Sequence, residues 1–433
     1  MKNLIPLCLG VLLFIACTPN NHEQDTPYAV INLSDKVTEV KQLPLSDAVQ
    51  EVDIIPLETT NESLLSDFID QIEVTDKFIF IYESRTGEIF RFNRNGKFLN
   101  KIGKRGEGPG EYTYLRGIQI DESKGELYAI TTANGIYVYD FEGTFKRSII
   151  DYNSLNKYFS SITNKQYLLY NDHFFFTQTM PFVKPQKKDS IWSVTVVDKQ
   201  FQIKNTFFNP AYQDRIETIN KNLTSEYSKN YLKEYPISMD TYHEEVTLKY
   251  PDTDTIYVYD QGNNQLKPQF AIYSKEPKGD YEKTHQWLKE RSAFDYLSIY
   301  SYYPSKDFIY LVGSKGDEIY TFAYNKTDGI VKQSTKQGTI IERKLPWDAT
   351  HRHLARPFIL SNDICGGDFQ IRYRSNGKYW IDIQALNYDN YMVDTEKIVS
   401  SPVKNEQDKQ ALLDTFKQLN EDSNPVLLIA TLK

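Results

Sequence analysis

The clearest pattern along the chain is an alternation of apolar and polar positions in short runs, each closed by a turn. Ile89-Phe90-Arg91-Phe92-Asn93 leads through Arg94-Asn95-Gly96 to Phe98, and 47 positions later Ile136-Tyr137-Val138-Tyr139-Asp140 leads through Phe141-Glu142-Gly143 to Phe145 without a gap. A period of two sends alternate side chains to opposite faces of a strand, and glycine in the turn supplies positive φ, so each copy predicts a β-hairpin. Residues 78–82 and 126–130 predict the strand before each hairpin. Looser copies follow at 192–198, 256–260, 319–322 and 379–383. The residues that close these strands, Asn93, Asp140, Asp198, Asp260, Ala323 and Asp382, are separated by 47, 58, 62, 63 and 59 positions. Six units of that size predict an all-β protein, a six-bladed β-propeller, rather than two sandwiches, whose strands do not usually repeat one hairpin at one spacing.

Segments outside the repeat complete this picture. Val52-Asp53-Ile54-Ile55-Pro56-Leu57 and the run from Val426 to Leu432 read as strands, one or both of which complete a shared closing blade. Helical spacing of apolar residues over 210–235 and 281–296 predicts short helical insertions, and Ala411, Leu412, Phe416 and Leu419 predict a C-terminal helix over 407–419.

The N-terminus follows a different logic. Lys2 precedes an apolar run, Leu4 to Ala16, too short to span a bilayer, so residues 1–16 predict a signal peptide. Phe14-Ile15-Ala16-Cys17 resembles a bacterial lipobox, in which the cysteine is acylated and becomes the new N-terminus; Phe14 departs from the usual Leu. Cys17 is the expected lipid attachment, residues 17–43 the tether and lead-in, and residues 44–433 the propeller. Of Cys8, Cys17 and Cys365, only Cys365 would remain as a free thiol, which excludes an intrachain disulfide and reads as a small buried apolar residue.

Composition narrows the function. Tyr 32 and Phe 24 against Met 4 suit half-buried strands, and a net charge of −8 is the wrong sign for a partner of nucleic acid. The loop Gly103-Lys104-Arg105-Gly106-Glu107-Gly108-Pro109-Gly110-Glu111-Tyr112 invites a phosphate-binding reading, but it lacks the Gly-Lys-Ser/Thr ending and the dinucleotide glycine spacing. A tight inter-blade connection is the simpler reading, with Arg105, Glu107 and Tyr112 as candidate ligand contacts at the channel mouth. His351 and His353 share a face if they lie on a strand and are weak metal candidates lacking further nameable ligands. No catalytic motif stands out, so no catalytic residue and no cofactor is expected.

The residues 52–59, the loop 103–112, Asp254-Thr255-Ile256-Tyr257 and Asn424-Pro425-Val426-Leu427 together resemble the six-bladed β-propeller lipoproteins of Bacteroides-type bacteria, related in shape to NHL-repeat propellers. The resemblance implies a propeller in the bacterial cell envelope, lipid-anchored at the outer membrane on its periplasmic or surface face, in a family largely without assigned activity. The expected function is a non-enzymatic binding or scaffold module for an envelope protein or glycan, with the membrane reached through the N-terminal lipid alone. The competing expectation is an enzyme at the central channel, a polysaccharide lyase or hydrolase or a metal-dependent lactonase.

Overall fold

The computed structural model describes residues 28–131, 135–150, 167–178, 193–209, 237–243, 245–250, 253–276, 296–338, 340–344, 350–354, 357–389 and 391–433. The expected signal peptide, Cys17 and the helical insertions over 210–235 and 281–296 lie outside these residues, save Tyr296.

Six sheets form the ring. Blade one holds β4 (Ile69–Val74), β5 (Phe78–Glu83), β6 (Glu88–Asn93) and β7 (Phe98–Lys101). Blade two holds β8 (Leu115–Asp121), β9 (Glu126–Thr131), β10 (Ile136–Asp140) and β11 (Phe145–Ile150). Blade three holds β12 (Tyr167–Tyr170), β13 (His173–Gln178), β14 (Ser193–Asp198) and β15 (Ile203–Phe208). Blades four and five run from β16 (Ser238–Tyr242), β17 (Glu245–Lys249), β18 (Thr255–Asp260) and β19 (Gln265–Tyr273) to β20 (Ser298–Pro304), β21 (Phe308–Lys315), β22 (Glu318–Asn325) and β23 (Val331–Gln337). Blade six takes β28 (Tyr373–Ser375), β29 (Tyr379–Gln384) and β30 (Val426–Leu432) from the C-terminal part and its outer strand, β3 (Val49–Pro56), from the N-terminal part. The register Ile54↔Leu428 fixes this closure, so of the two candidate closing segments both, not one, share the blade.

The second strands of blades one and two are apolar on both faces because each packs against two neighbouring blades. In β5, Ile79 and Ile81 enter the core shared with blade six, whereas Phe80 and Tyr82 enter the core shared with blade two. In β9, Leu127 and Ala129 face blade one while Tyr128 and Ile130 face blade three.

One turn recurs between the third and fourth strands of five blades. The carboxylate or amide of the strand-closing residue accepts a backbone N–H, from Lys97 to Asn93 at 3.0 Å, from Thr144 to Asp140 at 2.8 Å and from Gln202 to Asp198 at 2.9 Å, with Asp260 and Asn325 doing the same. A residue of positive φ follows: Gly96, Gly143, Phe201, Asn264 and Gly329. Gly96 and Gly143 occupy equivalent places, each pressed on the outer strand of the preceding blade, where an added Cβ would lie 2.0 Å from the Pro56 carbonyl oxygen and 2.9 Å from that of Lys101.

Three sequence expectations shift. Strand β22 runs on to Asn325, so Ala323 is not its closing residue. Asp382 lies on a second strand, because the third position of blade six is filled by β30; the doubly buried run Tyr379–Gln384 imitates the alternating signature of a third strand. The ring also begins before residue 44. Strand β1 (Ala29–Asn32) pairs parallel to β19 and β2 (Val37–Glu39) parallel to β23, covering the outer edges of blades four and five.

Two further hairpins, β24 (Ile340–Lys344) with β25 (Thr350–Leu354) and β26 (Ile359–Ser361) with β27 (Asp368–Gln370), follow blade five. Helices α1 (Thr395–Ser400) and α2 (Glu406–Lys417) are inserted between β29 and β30. The second is the predicted C-terminal helix: Asn405 caps it by accepting the Gln407 N–H, and Leu412 and Phe416, one turn apart, are buried.

Candidate functional site

The innermost strands succeed one another around the axis, with β4 touching β8, β8 touching β12, β12 touching β16, and β28 touching β4. Between them lies a cavity of about 460 Å³ lined from blades one, two, three, four and six. Each innermost strand has an edge facing the axis with no further strand to pair it, and its backbone groups need partners. Side chains of neighbouring blades supply them. The Gln71 amide both accepts from the Ile118 N–H (2.9 Å) and donates to the Ile118 carbonyl (2.7 Å), Gln119 accepts the Leu169 N–H (2.7 Å), and Ser375 accepts the Val74 N–H (2.8 Å). Much of the polarity of the channel therefore ties one blade to the next.

Charge is concentrated in the same place. Arg374 reaches from blade six to Asp240 in blade four, Nη1 to Oδ2 at 2.6 Å, donates to the carbonyls of Tyr302 and Met239, each at 3.3 Å, and lies over the Tyr303 ring. Burial raises the Asp240 carboxyl, and Arg374 opposes that rise. Arg372 pairs through Nε with Asp382 at 3.1 Å; burial pushes the Asp382 carboxyl up to about 6. Asp70 and Arg116 stand at equivalent positions on β4 and β8, each beside a register shift, and both line the cavity.

Glu73 is another perturbed acid of the channel. It is buried, accepts hydrogen bonds from Ser375 Oγ and Gln71 Nε2, both at 2.7 Å, and is pushed up to about 7 by burial in spite of those donors. The folded protein thus holds a proton that the unfolded chain releases near 4.5, and stability conferred by that proton is full below about 4.5 and lost as pH rises through about 7. Glu73→Gln, which cannot ionise, is expected to melt above the parent on the alkaline side of this window and to show a shallower loss of melting temperature across it. Thermal melts of both proteins across the window check this, and identical slopes would contradict it.

The residues singled out by sequence do not converge. Arg105 is exposed, its guanidinium 4.9 Å from the centre of the Tyr114 ring, and Glu107 is exposed on the same loop. Tyr112 is corrected: at 1% exposure it packs edge-on against Tyr139 and donates to the Ile102 carbonyl, so it offers no surface to a ligand. The glycine-rich loop holds an anion of its own. Glu111 accepts the Gly108 N–H at 3.0 Å and pairs with Lys104 at 3.3 Å, and its carboxyl is lowered by that backbone bond and then by Lys104. Gly103 and Gly110 have positive φ, whereas Gly106 and Gly108 make room for the Glu111 side chain.

His351 and His353 lie on β25, opposite Arg343 and Ile341 in the backbone register. Among the described residues no three His, Cys, Asp or Glu side chains are grouped to hold a metal ion. Cys365 is fully buried in the core between blades five and six, and burial pushes its thiol up to about 12, far from a nucleophile's range.

The channel residues Asp70, Glu73, Arg116, Asp240, Arg372 and Arg374 escaped sequence reasoning because each inner strand contributes only one or two. Their one legible sign is a polar residue at an alternate position of a blade's first strand, as Gln71 and Glu73 within Ile69–Val74.

A family model described as a domain of unknown function, DUF4934, matches residues 28–431, and the chain belongs to that family. A protein of Bacteroides fragilis NCTC 9343, described as exported, is similar in structure over 94% of this chain and 100% of its own, at 17% identity and a TM-score of 0.57, which shows a shared fold. A DUF4221 member from Bacteroides vulgatus covers 73% of this chain and 99% of its own at 11% identity with a TM-score of 0.43. None of the curated proteins matches the sequence.

Proposed function

We propose that this DUF4934 protein is a binding module of the bacterial envelope, lipid-anchored through Cys17, that holds a protein segment or a glycan at the mouth of its central channel. The observation that carries this reading is the cavity of about 460 Å³ whose lining includes Arg374 and Arg372, already engaged by Asp240 and Asp382 respectively. Such a wall is preorganised for hydrogen bonding and spends little on rearrangement when a polar ligand arrives. Asp70 and Arg116 mark the mouth, with Phe68 and Tyr114, each two residues earlier and at least half exposed, as the apolar contacts beside them. The similar protein described as exported supports the envelope setting, as does the apolar segment before Cys17.

An array carrying envelope oligosaccharides and extended peptides, probed with the parent and with the double variant Asp70→Asn/Arg116→Gln, tests the binding site. Capture of a defined class by the parent, lost in the variant, supports the channel mouth; equal capture by both places recognition elsewhere. A second reading, an enzyme using Glu73 as its acid, draws on the carboxyl raised to about 7. The bonds from Ser375 and Gln71 favour a structural role for Glu73 at the seam instead.

Anchoring has its own test. Cys17→Ser in the producing cell is expected to abolish incorporation of labelled fatty acid and to move the protein from the membrane to the soluble fraction. Continued labelling of the variant would sink the lipobox assignment.

A further inference from the structure

Phe68 and Tyr114 are the residues immediately before the innermost strands β4 and β8, so they stand at equivalent places on blades one and two. Each carries an arginine over its ring. The Arg85 guanidinium lies 5.4 Å from the centre of the Phe68 ring and the Arg105 guanidinium 4.9 Å from that of Tyr114. Arg85 comes from the β5–β6 turn and Arg105 from the connection between blades one and two. Arg105 reaches back to Gly87, two residues after Arg85, where an added Cβ would lie 3.4 Å from Arg105 Cδ. The fold thus gathers Phe68, Arg85, Arg105 and Tyr114 into one strip across two blades. Stacking on a ring uses the flat face of a guanidinium and leaves its N–H edges for other partners. Neither arginine makes a side-chain hydrogen bond to a described residue. Among the described residues Asp67 alone forms an ion pair with either, 3.8 Å from an Arg85 side chain that is 67% exposed. Glu111, in the same loop as Arg105, is taken by Lys104 and the Gly108 N–H, and the exposed Glu107 pairs with neither arginine.

We propose that this strip docks an acidic oligosaccharide, its carboxylates paired with the edges of Arg85 and Arg105 and its sugar rings laid on Phe68 and Tyr114. The inference rests on the channel-mouth reading above and names the class of ligand held there. In a chain of net charge −8, two cations brought together by different loops and left without hydrogen-bonded acids select an anion. The planar fork of each guanidinium matches a carboxylate through two parallel hydrogen bonds. The rings favour a sugar over an acidic peptide. Phe68 and Tyr114 remain 50% and 60% exposed with their arginines in place, which leaves apolar ring surface for the C–H face of a pyranose.

Calorimetric titration of the full chain with a tetramer of galacturonic acid tests this, beside its methyl ester, which keeps the rings and loses the charge, and an end-capped tetraglutamate of equal charge. Saturable binding of the tetramer is expected, about tenfold or more tighter than that of the ester or of tetraglutamate, and weakening as salt is raised. Arg85→Gln/Arg105→Gln, two changes at exposed side chains, should weaken it about tenfold or more and flatten its salt dependence while the melting temperature stays near that of the parent. No saturable binding of the tetramer, equal binding of the ester or of tetraglutamate, or an arginine variant that binds as the parent does would each overturn the proposal. Its failure is separable from that of the channel-mouth reading. Capture of a neutral glycan by the parent, lost in Asp70→Asn/Arg116→Gln, with no binding of the tetramer, would overturn the acidic class and leave the mouth standing; tetramer binding lost in the arginine variant and kept in Asp70→Asn/Arg116→Gln would support the acidic class and place its site on the strip alone.

Discussion

Gly96→Val is expected to be among the most damaging single substitutions in the chain. Gly96 has φ +79, and a Cβ built on it lies 2.0 Å from the Pro56 carbonyl oxygen and 3.1 Å from Ile55 Cγ2. Two costs combine. A β-branched residue in the left-handed region is strained by about 1 to 2 kcal/mol, and overpacking a tight contact typically adds about 1 to 3 kcal/mol. The second cost is not relieved by rotating a side chain, because the obstacle is backbone. It falls at the seam where β3 closes the ring, and Glu58 N–H donates to the Gly96 carbonyl across that seam. A loss of about 3 kcal/mol or more is therefore expected in urea denaturation. Gly125→Val is the control, since Gly125 has φ +62 with nothing within 4 Å of its added Cβ and should show the conformational cost alone. Equal losses in the two variants would mean that the seam between blades six and one is looser than described.

Arg374→Met should rank beside it for a different reason. Arg374 joins blades four, five and six, and its departure leaves Asp240, 8% exposed, with the Thr241 N–H as its remaining donor. Breaking a buried ion pair by removing one partner typically costs about 3 to 5 kcal/mol, because the charge left behind has no compensation. The same reasoning predicts a remedy. Arg374→Met combined with Asp240→Leu removes both charges and should recover most of the loss. The single variant should also regain stability in acid, where Asp240 takes up a proton, a dependence the double variant should lack. Urea midpoints of the three proteins at neutral and acid pH measure this, and a double variant as unstable as the single one would show that the pair does not act through charge.

The propeller was legible because its blades repeat a hairpin whose turn is chemically marked. An Asn or Asp closes the third strand and a residue of positive φ follows, as in Asn93 with Gly96 and Asp140 with Gly143, and that pairing is short enough to survive in sequence. Blade three hides it, because Phe201 takes the left-handed position that glycine holds in blades one, two and five and buries its ring against Phe174 and Phe176. Blade six hides its order, since two of its strands come from opposite ends of the chain. Strands β1 and β2 carry no periodic signal at all: they have 4 and 3 residues, and their pairing is dictated by the edges they cover.

The site was far less legible than the fold. Arg374 and Asp240 are 134 positions apart and meet only because the ring closes. The most conspicuous motif, the loop 103–112, turned out to fold around its own Glu111, which satisfies locally the anion-binding capacity that its glycines advertise. Motifs report local backbone demands, whereas a propeller's channel is assembled from single residues of distant strands.

The central claim is that the channel holds its ligand without altering it. The direct measurement is mass spectrometry of an array-selected oligosaccharide or peptide recovered after prolonged incubation with saturating protein. The account predicts recovery at unchanged mass, with binding lost in Asp70→Asn/Arg116→Gln. Shortened fragments that accumulate with time in the parent and disappear in Glu73→Gln would contradict it and make the protein an enzyme.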